Sequence, residues 1–275
     1  HGTEINETQT TMKRLAIRCS GVFGPRTEVA ANSRFTRELF REKFNIDEHR
    51  IHAIRLGVSD FWSGRRNDRG SVRAHREIDS DRIVMVTVAR ITRRKGHHLT
   101  LAALARLPDD LRRRVTWLVI GPEGEADYVD EVRSMIHNCD CDVRLLGALS
   151  NEEIRDIYGA ADFFCLTGMP ESSGRVEGFG LVYLEAGAGG LPSVASDIGG
   201  VPDAVLAGHS GLLVAPRVDM IASVIQQIAE DAELRARLAK GAAAHARDLS
   251  WERCAAETYR LPRPRSSARI AAISA

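Results

Sequence analysis

Two glutamates, Glu177 and Glu185, enclose an apolar run in the segment EGFGLVYLE. Their spacing corresponds to two helical turns plus about 80°, so they need not share one helical face. If a helix begins near Gly180, Glu177 lies in the preceding loop and Glu185 lies in the second turn. The free N–H groups and the dipole of a helix N-terminus attract phosphate. This window alone therefore predicts either a site for a phosphate-containing ligand or an amphipathic helix with one capping and one surface acid.

The elements around these glutamates alternate between buried strands and helices, which predicts a parallel, doubly wound α/β sheet. In such sheets, ligands bind beyond the carboxyl ends of the strands. The loops that hold Arg90, Lys95, Gly121, Gly147 and Glu177 all follow predicted strands and should meet at that edge. The predicted strands are 82–89, 115–120, 142–146, 162–166, 192–195 and 212–214, and the predicted helices are 97–107, 126–137, 151–159, 180–187, 201–206, 218–229 and 231–246.

The segments outside this pattern are shorter or more polar. Short strands are predicted at 29–32 and 51–54, and Ser33 is placed to cap a helix over 34–43. Residues 63–80 are polar with little to bury, which indicates a linker or surface connection. Near the ends of the sequence, apolar residues at helical spacing predict a helix at 11–19, and residues 262–275 are predicted to be a frayed tail.

The loop ARITRRKG follows a buried strand and opens a helix, and it carries Arg90 and Lys95. Taken alone, it is more typical of a basic surface loop. Its position opposite the Glu177 loop favours a diphosphate site instead, because a diphosphate needs cations and arginine can bind it bidentately.

Other motifs are better explained by the fold than by chemistry. The Asp-x-Asp pairs Asp79/Asp81 and Asp140/Asp142 precede strands, on the edge opposite the ligand. The segment Gly121–Gly124 reads as a strand-end turn and matches neither a dinucleotide fingerprint nor a Walker motif. No His/Asp cluster stands out elsewhere, so no metal site is predicted.

Composition limits the classes of function. The chain has 275 residues and a net charge of +1, which gives no case for nucleic acid as a partner. The longest apolar runs are too short to span a bilayer. The five cysteines include a lone Cys139-x-Cys141 pair without a second pair, so a zinc site is not favoured and reduced thiols of a cytoplasmic protein are expected. The start at His1 without Met or signal peptide suggests a piece of a larger protein.

Taken together, these segments resemble retaining glycosyltransferases of the GT-B fold, glycosyltransferase family 4. The similarity covers most of residues 29–261, and RVEGFGLVYLEA looks most like phosphatidylinositol mannosyltransferases and their relatives. The matching segments are ANSRFTRELF, RLGVSDFW, VARITRRKGHHL, LVIGPEGE, VRLLGALSNEEIRDIYGAADFFCLTG, EGFGLVYLEAGAGGLPSVASDIGGVPDAV and LSWERCAAETY.

The resemblance implies a metal-independent, front-face transfer of a hexose from a UDP- or GDP-sugar, with no cofactor. Arg90 and Lys95 would hold the donor diphosphate, Glu177 would contact the transferred sugar, and Glu185 would accept hydrogen bonds from the ribose. His1 would fall at the family's active-site histidine. The remaining donor-binding positions implied are Gly121, the stretch from Gly147 to Leu149 beside the base, and Phe179, Gly180, Leu181 and Val182 at the helix N-terminus.

The resemblance also implies a domain division in which most of the acceptor domain is missing. The acceptor would be a glycan, a lipid-linked group or a small molecule, and the exposed interface would favour self-association. The chain alone would then bind donor without necessarily transferring sugar. The implied parts are 1–58 as the end of the acceptor domain, 59–81 as a linker, 82–247 as the donor domain, 248–262 as a helix returning to the first domain, and 263–275 as a tail.

Alternatives from other classes stay open at this point. One is an inactive nucleotide-sugar-binding subunit, against which the intact set of Arg90, Lys95, Glu177 and Glu185 argues. Another is an epimerase or phosphorylase of the same fold. The basic run Arg112–Arg114 and the arginines of the tail raise peripheral association with the inner face of a membrane as a further alternative to plain solvation.

Overall fold

A computed structural model describes Gly24 and residues 27–44 and 46–260 of the chain. His1, the helix predicted over 11–19 and the tail predicted from 262 lie outside the described residues. Among the helices described, none combines the length and apolarity needed to cross a bilayer.

The larger unit is a six-stranded parallel sheet, and each of its strands lies within one residue of the sequence prediction. The strand order is β5-β4-β3-β6-β7-β8, so β3 is central and the order reverses between β3 and β6. A reversal of this kind opens a crevice at the carboxyl edge. The strands are β3 (Ile83–Val88), β4 (Val115–Ile120), β5 (Asp142–Gly147), β6 (Phe163–Leu166), β7 (Ser193–Ser196) and β8 (Gly211–Val214).

Helices cover both faces of this sheet, with one hydrophobic cluster on each face. Each face needs a layer because strands β3, β4, β6 and β7 are almost fully buried. The helices after β3 are α3 (His97–Leu104), α4 (Asp109–Arg114), α5 (Ala126–His137), α6 (Asn151–Ala160), α7 (Leu181–Ala188), α8 (Val201–Ala204), α9 (Val218–Glu230), α10 (Ala232–Asp248) and α11 (Trp251–Tyr259).

Two of these helices differ from the prediction. The helix predicted over 97–107 ends at Leu104, and the unpredicted α4 begins directly after Pro108. Proline suits a position at the start of a helix and ends a preceding one. Other boundaries agree within two residues, and Ser150 caps α6 in a capping box with Glu153, as its position predicted.

The smaller unit is a two-stranded parallel sheet of β1 (Val29–Ala31) and β2 (Ile51–Ala53) with helix α1 (Arg34–Phe44) between them. Ser33 caps α1, because its Oγ accepts a hydrogen bond from the Thr36 N–H at 3.1 Å. Helix α11 packs beside the chain that leaves this unit, because its Arg253 side chain donates to the Arg55 carbonyl at 2.5 Å. Just before α11, the Leu249 carbonyl accepts from the Val58 N–H at 2.8 Å.

Residues 63–80 are mostly exposed or half-buried, as expected of a polar surface connection, but the segment also contains a helix that was not predicted. Residues Arg69–His75 form helix α2, which packs against α6. Its Arg73 is only 5% exposed and donates to the Ala160 carbonyl at 2.9 Å and to Asp162 at 2.8 Å. A buried arginine whose guanidinium is hydrogen-bonded to several acceptors can anchor a helix although it looks polar in a sequence.

A partly buried ion pair between Arg34 and Asp203 joins the two units. Asp203, in α8, accepts from the backbone N–H and from the Nε of Arg34, each at 2.8 Å. Asp203 is 5% exposed, and hydrogen bonds to a buried charge are worth more than surface pairs.

We expect Asp203→Ala to lower the free energy of unfolding by about 2 kcal/mol, because it leaves the Arg34 N–H without its acceptor. Urea unfolding measures this directly. Asp219→Ala is the matched control, since Asp219 pairs with Arg217 on the open surface and its loss should cost less than about 1 kcal/mol. Equal losses in the two variants would contradict a structural role for Asp203.

Candidate functional site

Glu177 lies at the carboxyl edge of the sheet, in the loop between β6 and α7, and it is bound by two cations. Its Oε2 accepts from Lys95 Nζ at 2.5 Å and lies 3.5 Å from Arg94 Nη1. Burial alone would raise the pKa of Glu177, but the positive charges of Lys95 and then Arg94 outweigh burial and lower the pKa. Glu177 is therefore held ionised inside a compact cluster of charges.

Lys95 reaches this cluster because of the turn in which it lies. Residues Arg93–Lys95 form a short 3-10 helix that ends at Gly96, whose φ of +72° is in the left-handed region. A Cβ at Gly96 would also overlap the carbonyl of Thr167, so only glycine permits this close approach of the β3 and β6 loops. The Met169 N–H then donates to the Arg94 carbonyl at 2.9 Å and fixes the two loops together.

Arg94 is a site residue that sequence reasoning did not single out. It is a second cation on Glu177 and lies 3.6 Å from Glu171 through its Nε. The run Arg93-Arg94-Lys95 showed that the loop is basic, but three adjacent cations on one turn point in different directions. Arg93 in fact turns away and pairs with Glu131 on α5.

Arg90 is at the predicted edge but outside the Glu177 cluster. It lies two residues after the end of β3, and its exposed side chain makes no ion pair with any residue of the described ranges. Arg90 therefore offers an available positive charge at this edge of the sheet.

Gly121 brings the ends of β3, β4 and β5 together. Its φ is +145°, and an added Cβ would overlap the Ala89 carbonyl. Its N–H donates to the Gly147 carbonyl at 2.8 Å, so the Gly147–Leu149 stretch is adjacent. The predicted positions around Gly121 and Leu149 are thus gathered at the same edge as Lys95.

Helix α7 begins at the carboxyl edge of the sheet, within one residue of the predicted start at 180. Gly180 is the N-cap residue, with a φ of +95°, and Leu181 and Val182 form the first half-buried turn. The first N–H groups of a helix have no partner within it and are available to an anion. Phe179 contributes only its backbone here, because its ring is 2% exposed and belongs to the hydrophobic cluster.

Glu185 lies in the second turn of α7, in an environment opposite to that of Glu177. Its carboxylate accepts no hydrogen bond from another described residue, and burial raises its pKa to about 7. The hydroxyl of the neighbouring Tyr158 is also buried without a hydrogen-bond partner in the part of the chain described. Partial burial of a carboxylate without a donor is costly, so this half-buried position is chemically incomplete.

The turn Gly199–Gly200 packs against the Glu177 loop and is hydrogen-bonded to it. The sequence analysis did not identify this turn as part of the site. The Gly200 N–H donates to the Glu177 carbonyl at 2.9 Å. A Cβ at Gly200 would overlap the Gly178 carbonyl and would lie 2.8 Å from Ser33 Oγ. The glycine pair in DIGGVPD was the available signal, since repeated glycine often marks a close approach of two backbones.

The Asp-x-Asp pairs lie where the prediction put them, at the amino ends of β3 and β5. Asp142 is occupied there by Arg144 at 2.8 Å and by the Thr116 hydroxyl at 2.9 Å. Within the described residues, no group of three or more His, Cys, Asp or Glu side chains is arranged to hold a metal ion.

The fold defines a doubly wound α/β protein whose candidate ligand site, with its fixed charges and a helix N-terminus, lies at the carboxyl edge of the sheet. The chain belongs to the glycosyl transferases group 1 family, whose model matches residues 68–245. This confirms the predicted fold class, a GT-B type with a Rossmann-like parallel sheet.

Curated relatives support the same membership. The D-inositol 3-phosphate glycosyltransferase of Corynebacterium efficiens is 31% identical over 225 residues, which is 79% of this chain and 52% of that protein. The enzyme of the same name from Saccharomonospora viridis is 32% identical over 269 residues, or 90% of this chain and 60% of that protein. The chain thus spans between half and three fifths of the length of these relatives.

Solved structures share the fold. Anabaena Alr3699/HepE in complex with UDP superposes with a TM-score of 0.79 at 24% identity, covering 93% of this chain and 70% of that one. A glycosyltransferase from Rickettsia africae superposes with a TM-score of 0.78 at 19% identity, covering 93% and 67%.

Proposed function

We propose that this chain contains the donor-binding half of a retaining glycosyltransferase that moves a hexose from a UDP- or GDP-sugar to an acceptor. One observation carries the proposal: Lys95 and Arg94 hold an ionised Glu177 beside the N-terminus of α7, whose second turn carries the half-buried Glu185, which has no donor among the described residues. Fixed cations and a helix N-terminus suit a diphosphate, and an unpaired carboxylate suits vicinal hydroxyls.

In this proposal, the donor lies along the carboxyl edge of the sheet. Its diphosphate meets Arg90, Lys95 and the N–H groups from Phe179 to Leu181. Glu177 contacts the transferred sugar and Glu185 accepts hydrogen bonds from the ribose. The stretch around Gly121 and Gly147–Leu149 flanks the base. His1, outside the described residues, is proposed to lie near the reacting sugar in the complete enzyme.

The proposed chemistry uses the charge of the loop rather than a metal or another cofactor. The acceptor oxygen attacks the anomeric carbon from the face that the diphosphate leaves, and the leaving diphosphate takes the acceptor's proton. Arg90 and Lys95 stabilise the negative charge that develops on the leaving oxygen. Electrostatic stabilisation of this kind is usually the largest single contribution to catalysis.

The acceptor is proposed from the names of the relatives. Proteins named D-inositol 3-phosphate glycosyltransferases recur among them, which favours a phosphorylated cyclitol over the lipid-linked or glycan acceptors that the sequence left open. We also propose a cytoplasmic site of action. In the run Arg112–Arg114, only Arg113 and Arg114 expose their charges to a membrane surface. Arg112 turns inward and pairs with Asp109.

A panel of UDP-, GDP- and ADP-sugars, tested by thermal shift, examines the donor site on this chain alone. A donor at about 100 times its Kd should stabilise the chain by about 2.7 kcal/mol. For a chain of this size, that corresponds to an increase in Tm of roughly 5 to 10 °C. Absence of a shift with every nucleotide sugar would overturn the proposal. Transfer assays on the protein with its N-terminal half restored then separate an active enzyme from a binding subunit.

A further inference from the structure

Arg94 is a largely buried arginine whose guanidinium group has only long contacts. Its side chain is 16% exposed and lies near two carboxylates of the described ranges. Its Nη1 lies 3.5 Å from Glu177 Oε2, and its Nε lies 3.6 Å from Glu171 Oε1. A charge-assisted hydrogen bond between nitrogen and oxygen is about 2.7–2.9 Å long. Both contacts are therefore too long to replace the hydration that Arg94 loses on burial.

Arg73 shows how this chain satisfies an arginine that has a structural role. Its guanidinium donates to Asp162 at 2.8 Å, to the Ala160 carbonyl at 2.9 Å and to two further carbonyls at 3.0 and 3.2 Å. The side chain of Arg94 has no acceptor as close as these among the residues that the structure describes. Buried polar groups with a purely structural role normally have such partners. Arg94 therefore has N–H groups available to a ligand.

The loop between β6 and α7 is held in place without the side chain of Arg94. The Met169 N–H donates to the backbone carbonyl of Arg94 at 2.9 Å. Further along, the loop is bonded to itself: the Glu171 N–H donates to the Arg175 carbonyl at 2.9 Å, and the Gly174 N–H donates to the Glu171 carbonyl at 2.9 Å. These are all backbone hydrogen bonds. A role in fixing this loop therefore does not explain the guanidinium of Arg94.

The charges of the Glu177 cluster balance one another before any ligand binds. Lys95 and Arg94 are positive, and Glu177 and Glu171 are negative. Lys95 is closely paired with Glu177 at 2.5 Å, whereas Arg94 is shared between its two carboxylates at longer distances. A diphosphate that enters this cluster competes with the carboxylates for the cations. Arg94 has the weaker contacts, so it is the cation that a diphosphate can take more easily.

Glu171 can give up its contact with Arg94 at little cost. Its side chain is 28% exposed, and the Ser173 hydroxyl donates to its Oε2 at 2.9 Å. A partly exposed carboxylate that has a second donor in its own turn remains solvated when the cation leaves. A phosphate, in contrast, accepts two parallel hydrogen bonds from the planar guanidinium. Exchange of Glu171 for a phosphate is therefore favourable for Arg94.

We propose that Arg94 is a third cation for the donor diphosphate, and that Glu171 is the counter-ion which Arg94 leaves when a donor binds. This inference rests on the proposed function and adds a competitor to the proposed site. Arg94 lies 3.5 Å from Glu177, the carboxylate assigned to the transferred sugar, so it binds the phosphate next to the sugar. Glu171 stabilises the empty site and thereby lowers the affinity for the donor.

Isothermal titration calorimetry with UDP, GDP and inorganic pyrophosphate tests the role of Arg94. Arg94→Gln should weaken the binding of the diphosphates about tenfold, because hydrogen bonds from a charged group are lost. Binding of UMP or GMP, which lack the second phosphate, should hardly change. Arg93→Gln is the matched control, since Arg93 lies in the same turn but pairs with Glu131.

Two results would overturn the role of Arg94 and leave the proposed function intact. One is equal affinity of the unmodified chain and Arg94→Gln for the diphosphates. The other is an equal loss of affinity for monophosphates and diphosphates. If the unmodified chain binds none of these anions, the inference and the proposed function both fail.

Glu171→Gln gives the opposite test, because misfolding cannot produce a gain in affinity. This variant should bind the diphosphates about threefold more tightly, since the competing charge is removed. The gain should disappear when Glu171→Gln is combined with Arg94→Gln, as a double-mutant cycle requires of two residues that act through each other. Glu131→Gln, which removes the partner of Arg93, should change little. Unchanged or weaker binding by Glu171→Gln, or the same gain with and without Arg94, would contradict the proposal.

Discussion

Lys95→Ala is expected to lower turnover of the complete enzyme by about 10²-fold, comparable to the loss of one preorganised donor at a developing charge. This corresponds to about 2.7 kcal/mol of transition-state stabilisation. The reason lies in the geometry of the Glu177 cluster. Lys95 is the nearest cation to Glu177 and is fixed by the Gly96 turn, so its charge is in place before the donor binds.

The measurement is kcat and KM with the preferred nucleotide sugar. Loss of a charge that acts on the leaving group lowers kcat, whereas loss of ground-state binding alone raises KM and leaves kcat intact. Arg93→Ala is the matched control, because Arg93 belongs to the same turn but pairs with Glu131 on the other side. Unchanged kcat in Lys95→Ala would remove Lys95 from the proposed chemistry. Lys95→Arg should recover only part of the activity, since the planar guanidinium cannot replace a compact ammonium group in the same place.

Glu185→Gln is expected to stabilise the folded chain at alkaline pH while it weakens donor binding. The pKa of Glu185 rises from its ordinary value of 4.5 to about 7 on folding. The folded state therefore holds more protons than the unfolded state between these values, so the contribution of this group to stability falls as pH rises through that range. The cost is absent below about pH 4.5 and complete above about pH 7, where it is on the order of 3 kcal/mol.

Urea unfolding at pH 5 and pH 8 tests this prediction. The variant should exceed the unmodified chain by about 2 to 3 kcal/mol at pH 8 and by much less at pH 5. Glu152→Gln, on the exposed side of α6, should change little at either pH. In parallel, the shift of Tm by a nucleotide sugar should shrink in Glu185→Gln, because an amide is a weaker acceptor for hydroxyls than a carboxylate. A gain in stability without loss of the ligand shift would assign Glu185 to folding alone.

The sequence predicts the sheet well because strands buried on both faces have a strong signature. The runs that become β3 and β4 are continuous and apolar, and both strands lie within one residue of the prediction. Helix α2 was missed because it lacks an apolar pattern of this kind. It is held by the hydrogen bonds of Arg73 rather than by apolar periodicity, so a pattern search treats it as a polar connection.

The site shows the same division. Lys95 and Glu177 could be placed at one edge because each lies in a loop that follows a predicted parallel strand, and the structure brings them into contact. The contact between Arg94 and Glu177 depends on the direction in which the Arg94 side chain points. The hydrogen bond from Gly200 to the Glu177 carbonyl depends on a close approach between two backbones that are distant in sequence. Such contacts follow from the packed fold and leave little trace in residue spacing.

The Gly199–Gly200 turn has a thermodynamic consequence for the whole molecule. It is bonded to the Glu177 carbonyl on one side, and on the other it approaches Ser33, next to the Arg34 that binds Asp203. A ligand that moves the Glu177 loop must therefore also work against the seating of the two-stranded unit. This coupling is reciprocal. If ligand binding changes the free energy of one orientation of the two-stranded unit, that orientation changes the free energy of ligand binding by the same amount.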